Sequence, residues 1–244
     1  MHANDFTVIT RTIDEFNIKS VLIIFPHPDD EALSLSGTIT KLVENNTKVD
    51  WIILTRGERG TSDAHLDESL GSIRTKEAQD VATILKIMPP IMSDFPDNGV
   101  VDKKDELKAY LKQQIGDLKP DLIITYDESG DYGHPDHIAV SQTIKSLLKT
   151  DFPEIHLWYT STPEKILKTL TLPTQMAKDQ NYIENRKYPN FKIPLDIRGI
   201  TSRIQVTYAH KSQLDSFVRG VPVKQIPLWF YISLSPYEYF HKVR

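Results

Sequence analysis

Two runs of apolar residues, Val21-Leu22-Ile23-Ile24-Phe25 and Leu122-Ile123-Ile124-Thr125-Tyr126, never alternate with charged positions. A strand with one wet face reads apolar-polar-apolar. An unbroken apolar run is buried on both faces, as in parallel sheets covered by helices. Runs at 48–55 and 154–160, and a weaker one near 90–94, have the same character. Between them lie segments with helical spacing over 30–46, 70–87, 103–117 and 136–149. Val81, Ile84, Leu85 and Met88 recur at three and four, as do Leu107, Tyr110, Leu111 and Ile115. Strand and helix alternating through short connections imply a Rossmann-like, three-layer α/β/α sandwich with a mostly parallel sheet.

A chain of 244 residues is long enough for one such core, and a single domain over 1–244 is expected. Its core spans 20–160, with a short helix ahead of the first strand. Beyond that the rhythm breaks. Residues 170–198, with Pro173, Pro189 and Pro194, read as an irregular rim or lid. A helix resumes near 200–216, and the aromatic stretch 226–240 reads as a final strand or two. The net charge of -4 lacks the basic footprint that nucleic acid requires. Having no cysteine, the chain forms no disulfide, no thiolate zinc site and no thiol nucleophile. Met1 to Ser20 carries Asp5, Arg11, Asp14, Glu15 and Lys19 and lacks the apolar core of a signal peptide. No apolar run approaches the length of about 18 residues needed to span a membrane. A cytoplasmic address is therefore expected, and a homo-oligomer stays open. Gly57, Gly60 and Gly71 form no dinucleotide fingerprint, which argues against a nucleotide-binding protein.

Both apolar runs lead into metal-ready residues. Pro26-His27-Pro28-Asp29-Asp30-Glu31 follows the first, and Gly133-His134-Pro135-Asp136-His137 follows the second after a short loop. In an open parallel sheet, sites are built at the carboxyl ends of strands. His27 and Asp30, three apart at an expected helix start, can converge on one point. Pro28 is tolerated there because an early helical position has an unpaired N–H anyway. Asp29 lies between them, free to face a water and act as a general base. His134 and His137 repeat the spacing. One can complete a metal sphere while the other faces the reacting group, with Asp136 near enough to orient an imidazole. Three protein ligands and an open position make a catalytic rather than a structural zinc site. Such a metal polarises a carbonyl and acidifies water, which suits hydrolysis of an amide or ester. Singly, each motif has an ordinary explanation, as a hydrogen-bonded His–Asp pair or an acidic helix cap. Two of them at the strand ends of one sheet weaken that explanation.

Together the motifs resemble the PIG-L/LmbE-like zinc-dependent de-N-acetylases. Thr55-Arg56-Gly57-Glu58-Arg59-Gly60 is similar to that family's Thr-x-Gly-Glu-x-Gly loop, and Arg74 with Glu77 to its Arg-x-x-Glu helix. Phe95-Pro96-Asp97, Tyr126-Asp127 through His137, and His210-Lys211-Ser212-Gln213 extend the resemblance. It implies that His27, Asp30 and His137 hold one zinc per chain, or another divalent metal such as Fe2+, with Asp29 as the base. It further implies that His134 meets the oxyanion or protonates the leaving amine, with Asp136 behind it. Tyr132 would polarise the amide carbonyl, and Arg74 and Asp97 would hold the sugar. Thr61 stands where some members carry an acidic residue, which leaves the aglycone preference open. The implied activity is hydrolysis of the N-acetyl amide of a small N-acetylglucosamine conjugate, releasing acetate and a free amine. The alternatives are an amidase of a thiol-sugar conjugate on the same site, or a non-catalytic metal- or sugar-binding protein. Glu58 reads as a helix cap or pocket residue, and Ser212 lacks the flanking glycines of a nucleophile elbow.

Overall fold

The computed structural model describes residues 8–60, 67–167, 185–222 and 225–244. Its strands are β1 (Ile9–Thr10), β2 (Ser20–Phe25), β3 (Lys48–Ile53), β4 (Ile91–Met92), β5 (Leu122–Tyr126), β6 (His156–Thr160), β7 (Phe191–Pro194) and β8 (Tyr237–Lys242). They form one sheet in the order β1-β7-β8-β6-β5-β2-β3-β4. The neighbours from β4 to β6 run parallel, whereas β8 lies antiparallel to both β6 and β7. The helices are α1 (Ser36–Glu44), α2 (Asp67–Leu85), α3 (Lys104–Leu118), the kinked turn α4 (Gly130–Gly133), α5 (Pro135–Thr150), α6 (Glu164–Leu167), α7 (Ile197–Ala209), α8 (Leu214–Gly220) and α9 (Leu228–Ser233). Among the described residues no helix is long and apolar enough to cross a membrane.

The unbroken run of β2 is used on both faces. Val21, Ile23 and Phe25 pack with Ile39, Leu42 and Val81 on α1 and α2. Leu22 and Ile24 pack on the other side, with Leu107 and Leu111 of α3 and Ile144 of α5. All five strand residues are fully buried, each contributing roughly 1.5–3 kcal/mol relative to exposure. This two-sided cover is the α/β/α sandwich that the apolar runs imply. From β2 the chain steps to β3 and β4; from β5 it steps the opposite way to β6. The loops leaving β2 and β5 therefore part and open a crevice at the strand ends.

Several expected elements differ in place or type. The helix expected from residue 30 begins at Ser36, and 28–35 run as turns. Asp29 at φ 123 breaks helical geometry, and the helix start is capped from a distance. Glu238 of β8 accepts from the N–H groups of Gly37 and Thr38 at 2.9 and 2.6 Å. Met88, expected on the buried stripe of α2, is 72% exposed, because Lys86 at φ 59 ends the helix first. Within the expected rim, 170–184 lies outside the described residues, while Phe191–Pro194 is strand β7. Its Phe191 and Ile193 are buried, but a four-residue strand bounded by Pro189 and Pro194 leaves little periodicity to read. The expected helix over 200–216 stops at Ala209, and a separate α8 begins at Leu214. Within 226–240, Leu228 and Ile232 bury one face of a helical turn, so α9 precedes β8.

Candidate active site

The loop after β2 is bent by a guanidinium. Arg74 of α2 donates from Nη1 to the Gly57 carbonyl at 2.8 Å and from Nη2 to the Pro28 carbonyl. The turn lets Asp30 fold back so that its Oδ2 accepts from the His27 N–H at 2.8 Å. The loop after β5 uses glycine instead. Gly130 has φ 67, and a Cβ there would stand 2.9 Å from Ile138 Cγ1. His134 then caps α5, its Nδ1 accepting from the Asp136 N–H at 3.2 Å, and Pro135 occupies the first turn. His137, one residue after Asp136, faces the first loop.

Donor atoms of three residues gather where the loops converge. His27 Nδ1 lies 3.2 Å from His137 Nε2, which lies 3.4 Å from Asp30 Oδ1, and Asp30 Oδ2 lies 3.6 Å from His27 Nδ1. Ligands bound at ~2.0–2.1 Å on a tetrahedral ion are about 3.3–3.4 Å apart, so each of these separations is close to a tetrahedral edge, with both oxygens of Asp30 used to reach the two imidazoles. Among the described residues, the groups whose ligand atoms, one per residue, all lie within 4.8 Å of one another are His27 with His134 and His137, and His27 with Asp97 and Asp136. In the second, both carboxylates approach Nε2 of His27, the ring nitrogen not shared with His137 (3.2 Å for Asp97, 3.4 Å for Asp136). Their remaining oxygens accept from the Arg59 and Val100 N–H groups at 2.8 and 3.0 Å. They stand behind His27 as its supports.

The charges suit a cation. Burial opposes a proton on His27, but Asp136, Asp30 and Asp97 outweigh it and push the imidazole well above its ordinary value. Burial would likewise raise Asp30, yet His137 and His27 hold it well below the usual carboxylate range. His137 is pushed down to about 3, chiefly by burial, with His27 and His134 adding to it against Asp30. His137 with a neutral Nε2 and Asp30 as a carboxylate are in ligating form. His27, which the three aspartates hold protonated, would give up its proton to a divalent metal that takes the same place among them.

Around these three residues the supports come from distant elements. Tyr126 at the end of β5 donates to Asp30 Oδ1 at 3.0 Å and stacks on His137, with centroids 4.2 Å apart and planes 2° from parallel. Asp29 stays outside this set and pairs with Arg74 Nη2 at 3.0 Å. Burial raises its carboxyl to about 6, against the pull of Arg74. His134 lies below its ordinary value, first through burial and then through His27. Because its Nδ1 accepts from the Asp136 amide, the neutral ring carries its proton on Nε2. Tyr132 sets its ring edge-on to His137 and His134, at 5.2 and 6.0 Å. Burial, followed by Asp30 and Asp29, pushes its phenol well above the usual value, so it remains a donor.

Four of the expected residues meet partners inside the protein. Asp136 turns its carboxylate to His27 and offers His134 only its backbone N–H. Arg74 and Asp97, expected to hold sugar, are each 3% exposed and direct their charges to Asp29 and His27. Glu58, expected as a helix cap or pocket residue, accepts at Oε1 from the Asp97 N–H at 2.9 Å. The structure also explains motif residues without an assigned role. Glu31 pairs with His210 at 2.6 Å, both fully buried. Ser212 donates its N–H and hydroxyl to Glu77 at 2.8 and 2.7 Å. Tyr126, Glu31 and His210 were visible as motif letters, but only the fold shows what they touch. Thr61 lies outside the described residues.

Comparison with known proteins gives three findings. The family model PIG-L, described as GlcNAc-PI de-N-acetylase, matches residues 22–148. A Bacillus anthracis protein named as a probable N-acetyl-alpha-D-glucosaminyl L-malate deacetylase 2 is 33% identical over 139 residues, covering 55% of this chain and 61% of that protein. A mycothiol S-conjugate amidase of Streptomyces coelicolor is 29% identical over 140 residues, covering 48% and 47%. Both matches thus span less than two thirds of the relatives' own length. Among solved structures, N,N'-diacetylchitobiose deacetylase from Pyrococcus horikoshii superposes with a TM-score of 0.64 at 20% identity, covering 93% of this chain and 85% of that one. This last likeness is one of fold.

Proposed function

The chain belongs to the PIG-L family of GlcNAc-PI de-N-acetylases, and from that premise we propose that it hydrolyses the N-acetyl amide of a small N-acetylglucosamine conjugate, releasing acetate and a free amine. One divalent metal, zinc in the first instance, is held by His27, Asp30 and His137. The observation that carries this reading is the set of 3.2–3.6 Å separations by which His27 and His137 meet each other and the two oxygens of Asp30, with a second carboxylate, Asp29, left outside them. When bound, the metal supplies Lewis acidity toward the amide carbonyl and lowers the cost of deprotonating water. Asp29, raised to about 6 and oriented by Arg74, takes the proton from the attacking water; bases near neutrality do this most effectively. His134 Nε2–H and the Tyr132 hydroxyl donate to the carbonyl oxygen as it gains negative charge. The proton collected by Asp29 passes to nitrogen, and the C–N bond breaks. Asp97 and Asp136 fix the ring of His27, Tyr126 fixes Asp30 and His137, and Arg74 fixes Asp29.

The same machinery would cleave the amide of a thiol-sugar conjugate, and the Streptomyces relative favours that as the second reading. Acetate release from N-acetylglucosaminyl glycosides, measured beside turnover of thiol-conjugate amides with and without added zinc, separates the two. Metal-dependent acetate release is expected to dominate. No metal-dependent cleavage of either class would overturn the proposal.

A further inference from the structure

We propose that Arg186 is a positioning residue for Tyr132, gripping through Asp131 the strained turn that carries it. The inference rests on the reading of Tyr132 as a donor to the amide carbonyl. Between β5 and α5 the backbone passes through φ 67 at Gly130, φ 61 at Asp131 and φ 91 at Gly133. The two glycines adopt such angles freely, whereas Asp131 does not. Its φ 61 and ψ -61 correspond to the rare, strained form of γ-turn, which persists only where the surroundings hold it.

Arg186 and Thr162 hold it. Arg186 Nη1 donates to the Asp131 carbonyl, and Nη2 lies 3.8 Å from Asp131 Oδ1. Thr162 donates its hydroxyl to the same oxygen at 3.2 Å, and its own carbonyl accepts from Arg186 Nη2 at 2.9 Å. The guanidinium, with its side chain 3% exposed, therefore bridges the turn to the segment after β6. The next residue adds a second tie: Lys187 N–H donates to Asp127 Oδ2 at 2.6 Å, just past β5. The turn is thus held at Asp127 and at Asp131, immediately before Tyr132. Releasing Asp131 would let φ and ψ relax one residue ahead of the phenol and swing it away from His134 and His137. A lysine could reach one of the two carbonyls, but it lacks the planar fork that reaches both.

The test is a double-mutant cycle on the best available substrate: Arg186→Ala, Arg186→Lys, Tyr132→Phe and both doubles, with hydrogen exchange read over 127–134. We expect Arg186→Ala to lower kcat about 10- to 100-fold while KM moves less than about threefold. Arg186→Lys should recover part of the loss. In the Tyr132→Phe background either change should cost less than about twofold, since the group it positions is gone. Exchange over 127–134 should rise in Arg186→Lys and stay level elsewhere. Equal losses in both backgrounds, an unchanged kcat in Arg186→Ala, or unchanged exchange would overturn the inference. If Arg186→Ala does not fold, the lysine series decides the same question. A wild-type chain without metal-dependent turnover would sink the functional reading, and the exchange result would still decide whether Arg186 holds the turn.

Discussion

The loop after β2 and the loop after β5 converge on His27, Asp30 and His137, yet they are held by different means. In the first, each working side chain is gripped by a residue far away in sequence. Asp97 and Asp136 brace His27, Arg74 braces Asp29, and Tyr126 braces Asp30. In the second, local turn chemistry shapes the chain, and Arg186, Thr162 and Lys187 tie it from outside. Gly130 and Gly133 make the turn, Asp127 accepts from Ser129 N–H two residues on at 3.0 Å, and His134 caps the helix that presents His137. Damage to the first loop should therefore arrive from many elements. Damage to the second should come mainly from its own backbone and from Arg186.

The largest effect tests the point where the loops meet. His137→Ala removes a donor, so metal affinity should fall more than about 100-fold, beyond the 10- to 100-fold typical of a supporting residue. Competition with a chromogenic chelator measures this, and an unchanged affinity would break the assignment of the three ligands. Next come the distant braces. Tyr126→Phe and Asp97→Asn should each weaken metal binding about 10- to 100-fold while leaving all three donors in place. If Asp97→Asn instead raised KM with metal affinity intact, Asp97 would return to a sugar-facing role and the contrast between the loops would soften.

The smallest effect lies at the opposite end of the strands, where Asp121 Oδ2 accepts from the N–H groups of Lys19 and Ser20 at 2.8 and 2.9 Å. Burial opposes ionisation there, but those two N–H groups, with the Ser20 hydroxyl, together outweigh it and depress the carboxyl. A depressed folded-state pKa contributes stability that is present above the unfolded value and lost as pH falls through the folded one. Asp121→Ala should therefore cost about 1 kcal/mol near neutrality. The difference from wild type should narrow below about pH 4. Urea unfolding across that range checks it, and a gap that widens in acid would contradict the sign.

The same contrast explains how much was legible in the sequence. The two-sided burial of β2 and β5 is written in consecutive apolar residues, so the sheet's centre could be read directly. The second loop was also readable, because glycine, proline and histidine spacing act within a few residues. The first loop was readable as chemistry but not as geometry. Nothing local says that Arg74 turns to Asp29, or that Glu238, some 200 residues away, starts α1 at Ser36. Arg74 and Asp97 were expected to hold sugar because both lie near strand ends and match sugar-facing positions of the family the motifs resemble. Here the desolvated carboxylates and imidazole of the first loop need partners, and those two residues supply the charge. Strand β7 was missed for a different reason: four residues between prolines carry too little periodicity to separate from a loop.

The division of labour between adjacent aspartates is the central claim, and Asp29→Asn tests it most directly. Metal content by mass spectrometry and acetate release should be measured on the same preparation, with wild type alongside. The account expects full metal occupancy, with kcat reduced about 10²- to 10⁴-fold, as for loss of a general base that is not a ligand. A variant that loses its metal, or one that keeps wild-type turnover, would contradict it.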